Sequence, residues 1–291
     1  MIYSVRHRTT YEYEDPVSVS HHVVRLTPRN IPGQTCHRSK VSIAPMPPNT
    51  ADWSDYFGNA QIFFTLHETH ERLIVEANSE LEVHPVAHPD FFASPRWDIV
   101  PEWLARDHTA EGLDAYQFVF DSQRVAARPE LADYARESFP EGRPLLEAAL
   151  DLTGRIHRDF RFDTKATEVS TPVQTFFEKR RGVCQDFAHL QIACMRSMGL
   201  PARYVSGYLR TIPPRGRPRL VGADASHAWC SVYSPGAGWV DFDPTNNCVP
   251  SDGHITVAWG RDYSDVSPIH GVLLGGARHT LHVGVDVMPM E

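Results

Sequence analysis

The first part of the chain alternates apolar and polar positions in the way that β-strands do. Runs of β-branched and aromatic residues between polar turns predict strands, and these runs lie at residues 11–14, 17–26, 60–66 and 73–83. Residues 57–60, Phe-Gly-Asn-Ala, predict a hairpin turn between two apolar runs. The proline-rich stretch at 43–49 predicts a loop, because proline offers no donor to a β-ladder. We therefore expect residues 1–86 to form a β-rich N-terminal domain.

The pattern changes to a helical period further along the chain. Residues 85–101 are loop-like, and apolar residues then recur close to every 3.6 positions in two segments, 129–139 and 143–160. A third helix is predicted from residue 182 or 183 to Met198, because apolar residues repeat on one face and Gly199 is a natural C-terminal stop.

Strand patterns return in the last third of the chain. They lie at residues 202–209, 227–233, 239–242 and 281–287. We expect an α+β fold with three parts. The N-terminal β domain is followed by a linker and helical segment at 87–150 and by a C-terminal α+β domain at 151–291.

Composition and charge exclude several classes of protein. The chain has 291 residues, 42% of them hydrophobic, and a formal net charge of −8. The apolar fraction supports a sizeable core and excludes wholesale disorder, and the negative charge argues against a nucleic-acid binder. No apolar stretch approaches the roughly 20 residues that span a bilayer, and the N-terminus lacks the apolar core of a signal peptide. We expect no membrane partner.

Cysteine and histidine usage points to a reducing compartment and away from metal chemistry. Five scattered cysteines, an odd number, make a poor disulfide framework, so we expect a cytoplasmic location. The 16 histidines include no H-E-x-x-H motif, and the chain has no paired CxxC spacing. Glycine-rich nucleotide-binding motifs are also missing from their required positions. We therefore expect no metal and no cofactor.

The strongest chemical signal is Cys184, which the pattern places at the start of the third predicted helix. Backbone N–H groups and the helix dipole at this position favour the thiolate, which is the nucleophilic form of cysteine. Arg181 adds positive charge in the same turn. The backbone N–H groups of Cys184 and Gln185 could also stabilise an oxyanion. A buried structural cysteine is the alternative.

A histidine and an aspartate on the two following strands complete this arrangement. His227 begins one strand and Asp243 ends the next, 16 residues later, as expected of hairpin partners. A thiol needs an imidazole to accept its proton, and the imidazole needs a carboxylate to fix its tautomer. Asp241 lies on the same strand face as Asp243 by alternation and competes for the third role.

Four sequence segments around these residues resemble the transglutaminase-like superfamily, in the bacterial branch described as cysteine proteases. The segments are GVCQDFAHL at 182–190, GLPARYVSGYL at 199–209, SHAWCSVY at 226–233 and GWVDFDPTN at 238–246. Segments at 6–11, 24–28 and 55–59 are similar to the N-terminal β region of that branch, and those at 254–263 and 265–268 to its C-terminal signature. The resemblance implies a papain-like core, a helix bearing the cysteine packed on an antiparallel sheet.

The same resemblance implies a Cys-His-Asp triad, carried here onto Cys184, His227 and Asp243. The Asp-Pro-Thr sequence of the family aligns with Asp243, which favours Asp243 over Asp241. The implied chemistry runs through a thioester on the cysteine, which water or an amine then releases. His189 and Cys194, nearby on the same helix, are expected to serve packing or hydrogen bonding.

Residues 151–220 are unusually basic, with 13 Lys and Arg against 6 Asp and Glu. Part of this charge lies in a proline-stiffened stretch at 210–219, which is either a solvated loop or a basic substrate rim. In the second interpretation, Arg215 and Arg217 favour acidic or glutamyl peptide substrates. Weaker candidates for the rim are Trp229, Asp262 and Tyr263.

The leading hypothesis is a cysteine-dependent enzyme that acts on amide or peptide bonds, with hydrolysis favoured over amine transfer. The triad alone does not separate these two outcomes, because both use the same thioester. A second hypothesis is a non-catalytic peptide-binding module, and a metal hydrolase is the third. The sequence does not indicate an oligomeric state.

Overall fold

The computed structural model describes residues 1–211 and 225–290. Its helices are α1 (Val100–Arg106), α2 (Ala110–Tyr116), α3 (Pro129–Arg136), α4 (Leu145–Asp159), α5 (Val173–Lys179), α6 (Cys184–Ser197) and α7 (Tyr263–Val266). Its strands are β1 (Ile2–Val24), β2 (Gln34–Ala44), β3 (Thr50–Ser54), β4 (Ala60–Leu66), β5 (His70–Val83), β6 (Arg161–Phe162), β7 (Arg181–Gly182), β8 (Ala202–Leu209), β9 (Ala225–Ser234), β10 (Gly238–Phe242), β11 (His254–Gly260), β12 (Ile269–Gly275) and β13 (His279–Met290).

The larger sheet is organised around β1, a single strand of 23 residues. Its strand order is β2-β5-β1-β4-β3, and β12 and β13 also pair with β1. The sequence pattern predicts two separate strands here, ending and restarting around Pro16. The structure joins them, because an irregularity between Glu12 and Val17 places the proline where the ladder with β5 shifts register.

The N-terminal sheet therefore contains strands from both ends of the chain. β13 pairs with the first half of β1, from Ile2↔Met290 to Tyr13↔His279, and β12 pairs with its second half. The predicted C-terminal domain at 151–291 differs from this arrangement, since its last two strands lie in the N-terminal sheet. Local alternation predicts a strand at 281–287 but does not indicate its partner.

The second sheet has four antiparallel strands in the order β10-β9-β8-β11. Helix α6 packs on β8 and β9 and also contacts α3, α4 and α5. Nearly all of α6 is buried, from Gln185 to Arg196. Arg196 at its end donates to the backbone oxygens of Phe118, Ala202 and Arg261, which fixes the helix against the surrounding loops. This arrangement confirms the predicted α+β fold with a cysteine-bearing helix on an antiparallel sheet.

Three elements of the structure have no counterpart among the elements predicted from the sequence. Residues 34–44 form β2, although most of its side chains are exposed or half-buried and give little apolar alternation. Helices α1 and α2 have seven residues each, too few for a helical period to stand out. Among the described residues, no helix is both long and apolar enough to cross a membrane.

Candidate active site

The turn before α6 fixes the position of Cys184. Asp186 in the first turn accepts a hydrogen bond from the Val183 backbone N–H at 2.8 Å and another from the Thr167 hydroxyl at 2.6 Å. A Cβ at Gly182 would lie 2.4 Å from the Asp186 carboxylate, so only glycine fits there. The local sequence thus holds the half-buried Cys184 as the first residue of α6.

Strand pairing places His227 beside this helix start. His227 lies opposite Gly207 in the β8–β9 ladder. A Cβ at Gly207 would approach the Ile255 carbonyl oxygen to 2.0 Å and the Trp229 ring to 2.6 Å, so the close packing of β8, β9 and β11 requires glycine. The His227 side chain is buried and forms a side-chain hydrogen bond with Cys184.

Asp243, directly after β10, is fully buried and accepts several hydrogen bonds. Its Oδ2 accepts from His227 Nε2 at 2.7 Å, from Asn246 Nδ2 at 2.7 Å and from His254 Nε2 at 3.1 Å. Its Oδ1 accepts from the backbone N–H groups of Thr245 and Asn246. Burial opposes ionisation, but these partners hold the pKa of Asp243 well below its usual range.

The same contacts determine the charge of His227. Burial by itself lowers the pKa of His227, but hydrogen bonds with Asp243 and Cys184, and their charges, raise it to about 10. These contacts favour the protonated form of the ring. Because the ionised Asp243 can only accept, Nε2 of His227 carries a hydrogen, which leaves Nδ1 for the hydrogen bond with Cys184.

Sequence reasoning selects Asp243 over Asp241, and the structure brings Asp243 to His227. Asp241 instead accepts a hydrogen bond from Trp229 Nε1 at 2.9 Å. Two residues around Asp243 were missed by the sequence reasoning, His254 at the start of β11 and Asn246. The Asp-Pro-Thr-Asn sequence is a usable signal for Asn246, since an Asp at this position accepts from backbone N–H groups two and three residues on. No local pattern indicates that His254 lies nearby.

His227, Asp243 and His254 also form a set that could hold a metal ion. One ligand atom from each lies within 4.8 Å of the others. The hydrogen bonds from both imidazoles to one carboxylate oxygen account for this clustering without an ion. The expectation of no metal stays a prediction.

Cys184 and His227 open into a cavity of about 450 Å³ between the four-stranded sheet and the N-terminal sheet. We call this cavity the cleft. On the side formed by α6 and the four-stranded sheet, Gln185 and Tyr204 line the cleft. Its opposite wall comes from β1 and β13, and contains His7, Thr9, Tyr11, Leu281, Val283 and Val285. The N-terminal sheet is therefore part of the cleft.

The structure distributes the predicted rim residues over different places. Tyr263 lines the cleft, and its backbone N–H donates to His189 Nε2 at 3.1 Å, which confirms a hydrogen-bonding role for His189. Asp262 does not form part of a rim as predicted. It is buried and caps α7 by accepting a hydrogen bond from the Ser264 N–H. Trp229 also differs from its predicted place on the rim, because it is fully buried and lines a different cavity.

The remaining rim prediction, on Arg215 and Arg217, lies outside the described residues. The predicted oxyanion donors are the backbone N–H groups of Cys184 and Gln185, the first two positions of α6. Such N–H groups have no carbonyl partner within their own helix. The Gln185 side chain lines the cleft and donates to the Val169 carbonyl.

The other four cysteines are poor candidates for the nucleophile. All five are free. Burial raises the pKa of Cys194 to about 12 and that of Cys248 to about 11, and it also raises the pKa values of Cys36 and Cys230. Cys184 is the cysteine of the cleft.

A buried helix that begins with cysteine, packed on a sheet that presents histidine and aspartate, defines the papain-like and transglutaminase-like class of fold. Residues 3–82 match the model of the bacterial transglutaminase-like N-terminal region, and residues 132–244 match that of the transglutaminase-like superfamily. The chain belongs to the transglutaminase-like superfamily, in its bacterial form with this N-terminal region.

Of three similar proteins, two span nearly the full chain and one spans part of it. An uncharacterised protein of Mycobacterium bovis is 38% identical over 99% of this chain and 93% of its own. A protein-glutamine gamma-glutamyltransferase of Pseudomonas aeruginosa is 32% identical over 41% of this chain and 18% of its own. The crystal structure of a "Putative Cysteine Protease" from Cytophaga hutchinsonii covers 100% of this chain and 92% of its own, with a TM-score of 0.78 at 21% identity. This last likeness shows a shared fold.

Proposed function

We propose that this chain is an enzyme that cleaves amide or peptide bonds through a thioester on Cys184. The observation that supports it is the position of His227, which bonds Asp243 through Nε2 and forms a hydrogen bond with Cys184. In this assignment Cys184 is the nucleophile, and His227 is the general base that takes the thiol proton and then the general acid that gives it to the leaving group. Asp243 holds His227 in position.

The reaction follows from these roles. The Cys184 thiolate attacks the amide carbonyl carbon, and the oxyanion that forms accepts from the backbone N–H groups of Cys184 and Gln185. The His227 imidazolium gives its proton to the leaving nitrogen, the C–N bond breaks, and a thioester remains. His227 is then neutral and takes a proton from the second nucleophile, which attacks the thioester and releases the Cys184 thiolate.

Hydrolysis is the proposed fate of the thioester, because water can reach the cleft. Leu281 and Val283 line it and are 50% and 51% exposed, and Ser226 at its edge is also exposed. Amine transfer is the second candidate. It is supported by the name of the Pseudomonas aeruginosa relative, a gamma-glutamyltransferase, since transfer to an amine uses the same thioester.

The proposed substrate is a peptide or protein of acidic or glutamyl type. The basis of this preference is the positive charge of Arg215 and Arg217, which is taken from the sequence alone. Reversal of both charges should abolish any preference for glutamate over lysine beside the cleaved bond, and an unaltered preference would contradict this assignment. We also propose a reducing, cytoplasmic compartment, because Cys184 must remain a thiol.

The decisive experiment combines glutamine-containing peptides with a labelled primary amine and follows protein and peptide by mass spectrometry. A protein adduct in the wild type and in Cys36→Ala, but not in Cys184→Ala, is the expected result. Cleavage or deamidation supports hydrolysis, whereas label in the peptide supports transfer. If no adduct and no product form with any peptide, the chain is a non-catalytic binding module and the proposal is wrong.

A further inference from the structure

A second cavity of about 670 Å³ lies on the face of the four-stranded sheet opposite α6. Strand β8 shows the division, because Tyr204 lies against His189 of α6 and lines the cleft, whereas Arg203 and Val205 line this second cavity. The far wall comes from the N-terminal region and includes Ile31 and Val86. We call this space the rear cavity.

Arg203 stands out in the rear cavity as a buried cation without a hydrogen-bond partner at Nε. The residue is only 7% exposed. Asp241 and Asp114 act on it through their charge alone, without a hydrogen bond, and burial lowers the pKa of Arg203 to about 9. A guanidinium has five donors in a rigid fork that matches a carboxylate. Because Nε itself has almost no accessible surface, a ligand carboxylate would bond the two terminal nitrogens of Arg203.

Tryptophan rings hold this guanidinium in place. Its central carbon lies 4.2 Å from the centre of the Trp239 ring and 3.9 Å from that of Trp259. The guanidinium of Arg29 lies 3.5 Å from the centre of Trp259 as well. Two guanidiniums this close to one ring must occupy opposite faces, so Trp259 has no free face for a cationic ligand.

A carboxylate lies two strands away from this cation on the same sheet face. Arg203 pairs with Ser231 of β9, and Ser231 pairs with Asp241 of β10. The three residues form a row of cation, hydroxyl and carboxylate across about 10 Å. The Ser231 hydroxyl is also buried without a hydrogen-bond partner. Asp114 lines the same cavity, so negative charge faces positive charge across it.

We propose that the rear cavity binds a small zwitterion, a free α-amino acid or dipeptide with an apolar side chain. The ligand carboxylate bonds Arg203, its ammonium group faces Asp241, and its side chain packs between Trp239 and the apolar wall at Ile31 and Val86. A ligand with only a negative charge leaves Asp241 uncompensated, and a ligand with only a positive charge leaves Arg203 without its acceptor. This proposal does not depend on the catalytic assignment.

The test is calorimetric titration of the whole chain with three probes of similar shape: L-phenylalanine, phenylacetate and phenethylamine. We expect L-phenylalanine to bind at least about tenfold more tightly than either of the others, equal to about 1.4 kcal/mol. Binding should be the same in Cys184→Ala, which separates the rear cavity from the cleft. Equal or tighter binding of phenylacetate contradicts the zwitterion, and loss of binding in Cys184→Ala places the ligand in the cleft and overturns the proposal.

Variants then assign the two charges. Arg203→Met should weaken L-phenylalanine binding by about tenfold or more, whereas Arg106→Met, on an exposed side chain, should leave it unchanged. Asp241→Asn should weaken L-phenylalanine binding but not phenylacetate binding, a difference that misfolding cannot produce. If both Arg203→Met and Asp241→Asn bind L-phenylalanine as the wild type does, the proposal is wrong.

Discussion

The Nε2 atom of His254 lies 3.1 Å from Asp243 Oδ2, the oxygen that also accepts from His227 at 2.7 Å. One carboxylate oxygen therefore faces two imidazoles. The second imidazole removes rotational freedom from Asp243, and a fixed Asp243 orients His227 toward Cys184. His254 is in this sense a positioning residue, since it acts on the sulfur only through two other side chains.

His254→Ala should therefore slow acylation of Cys184 by about tenfold, which corresponds to one hydrogen bond of about 1.4 kcal/mol. His254→Gln, which can still donate, should recover part of the rate. The measurement is the acylation rate as a function of pH, with the exposed His37→Ala as control. An unchanged rate and pH profile in His254→Ala would show that this histidine only fills space.

Asp243→Asn tests the carboxylate itself. Loss of its charge removes a main contribution to the raised pKa of His227, so this pKa should fall from about 10 and the imidazolium should be lost at lower pH. Acylation at neutral pH should fall by about 10²–10⁴-fold. The comparison is Asp241→Asn, which changes the carboxylate that bonds Trp229. An equal loss in both variants would contradict the choice of Asp243.

Alkylation with iodoacetamide tests the nucleophile without any substrate. Cys184 should react first at neutral pH, because it lies in the cleft beside the His227 imidazolium, whereas burial raises the pKa values of Cys194 and Cys230. Peptide mapping by mass spectrometry at increasing times gives the order. Reaction of Cys194 or Cys230 as fast as Cys184 would favour a non-catalytic binding module.

The candidate site was largely predictable from local sequence, but its surroundings were not. Cys184, His227 and Asp243 each lie at the end of an element that a short pattern identifies, so strand order alone brings them together. His254 reaches Asp243 only because β11 pairs with β8, a contact between segments about 50 residues apart. The return of β12 and β13 to β1 joins opposite ends of the chain. Which strands pair in this way depends on which strand edges of a sheet remain unpaired. The alternation of residues within one strand does not indicate its partner.

His7 predicts a dependence of stability on pH. Its two ring nitrogens bond the hydroxyls of Tyr208 and Thr9, and burial lowers its pKa from 6.5 to about 4. Between pH 6.5 and 4 the unfolded chain binds more protons at this site, so stability falls as pH falls. The contribution of His7 reaches about 3 kcal/mol. Urea unfolding at pH 7, 5 and 4 should show a shallower decline for His7→Gln than for the wild type. The exposed His67→Gln should follow the wild type, and parallel curves for all three proteins would exclude this role.

Gly207→Ala tests the packing that holds His227 in place. An alanine Cβ would lie 2.0 Å from the Ile255 carbonyl oxygen, a backbone atom of the paired strand β11, so the sheet must shift. We expect a loss of about 1–3 kcal/mol in the free energy of unfolding, as for other overpacked sites. Gly253→Ala is the matched control, because a Cβ there meets no atom within 4 Å. Chemical denaturation of both variants gives the comparison. Because Gly207 lies opposite His227, the alanine variant should also lose acylation activity, while Gly253→Ala should keep both activity and stability.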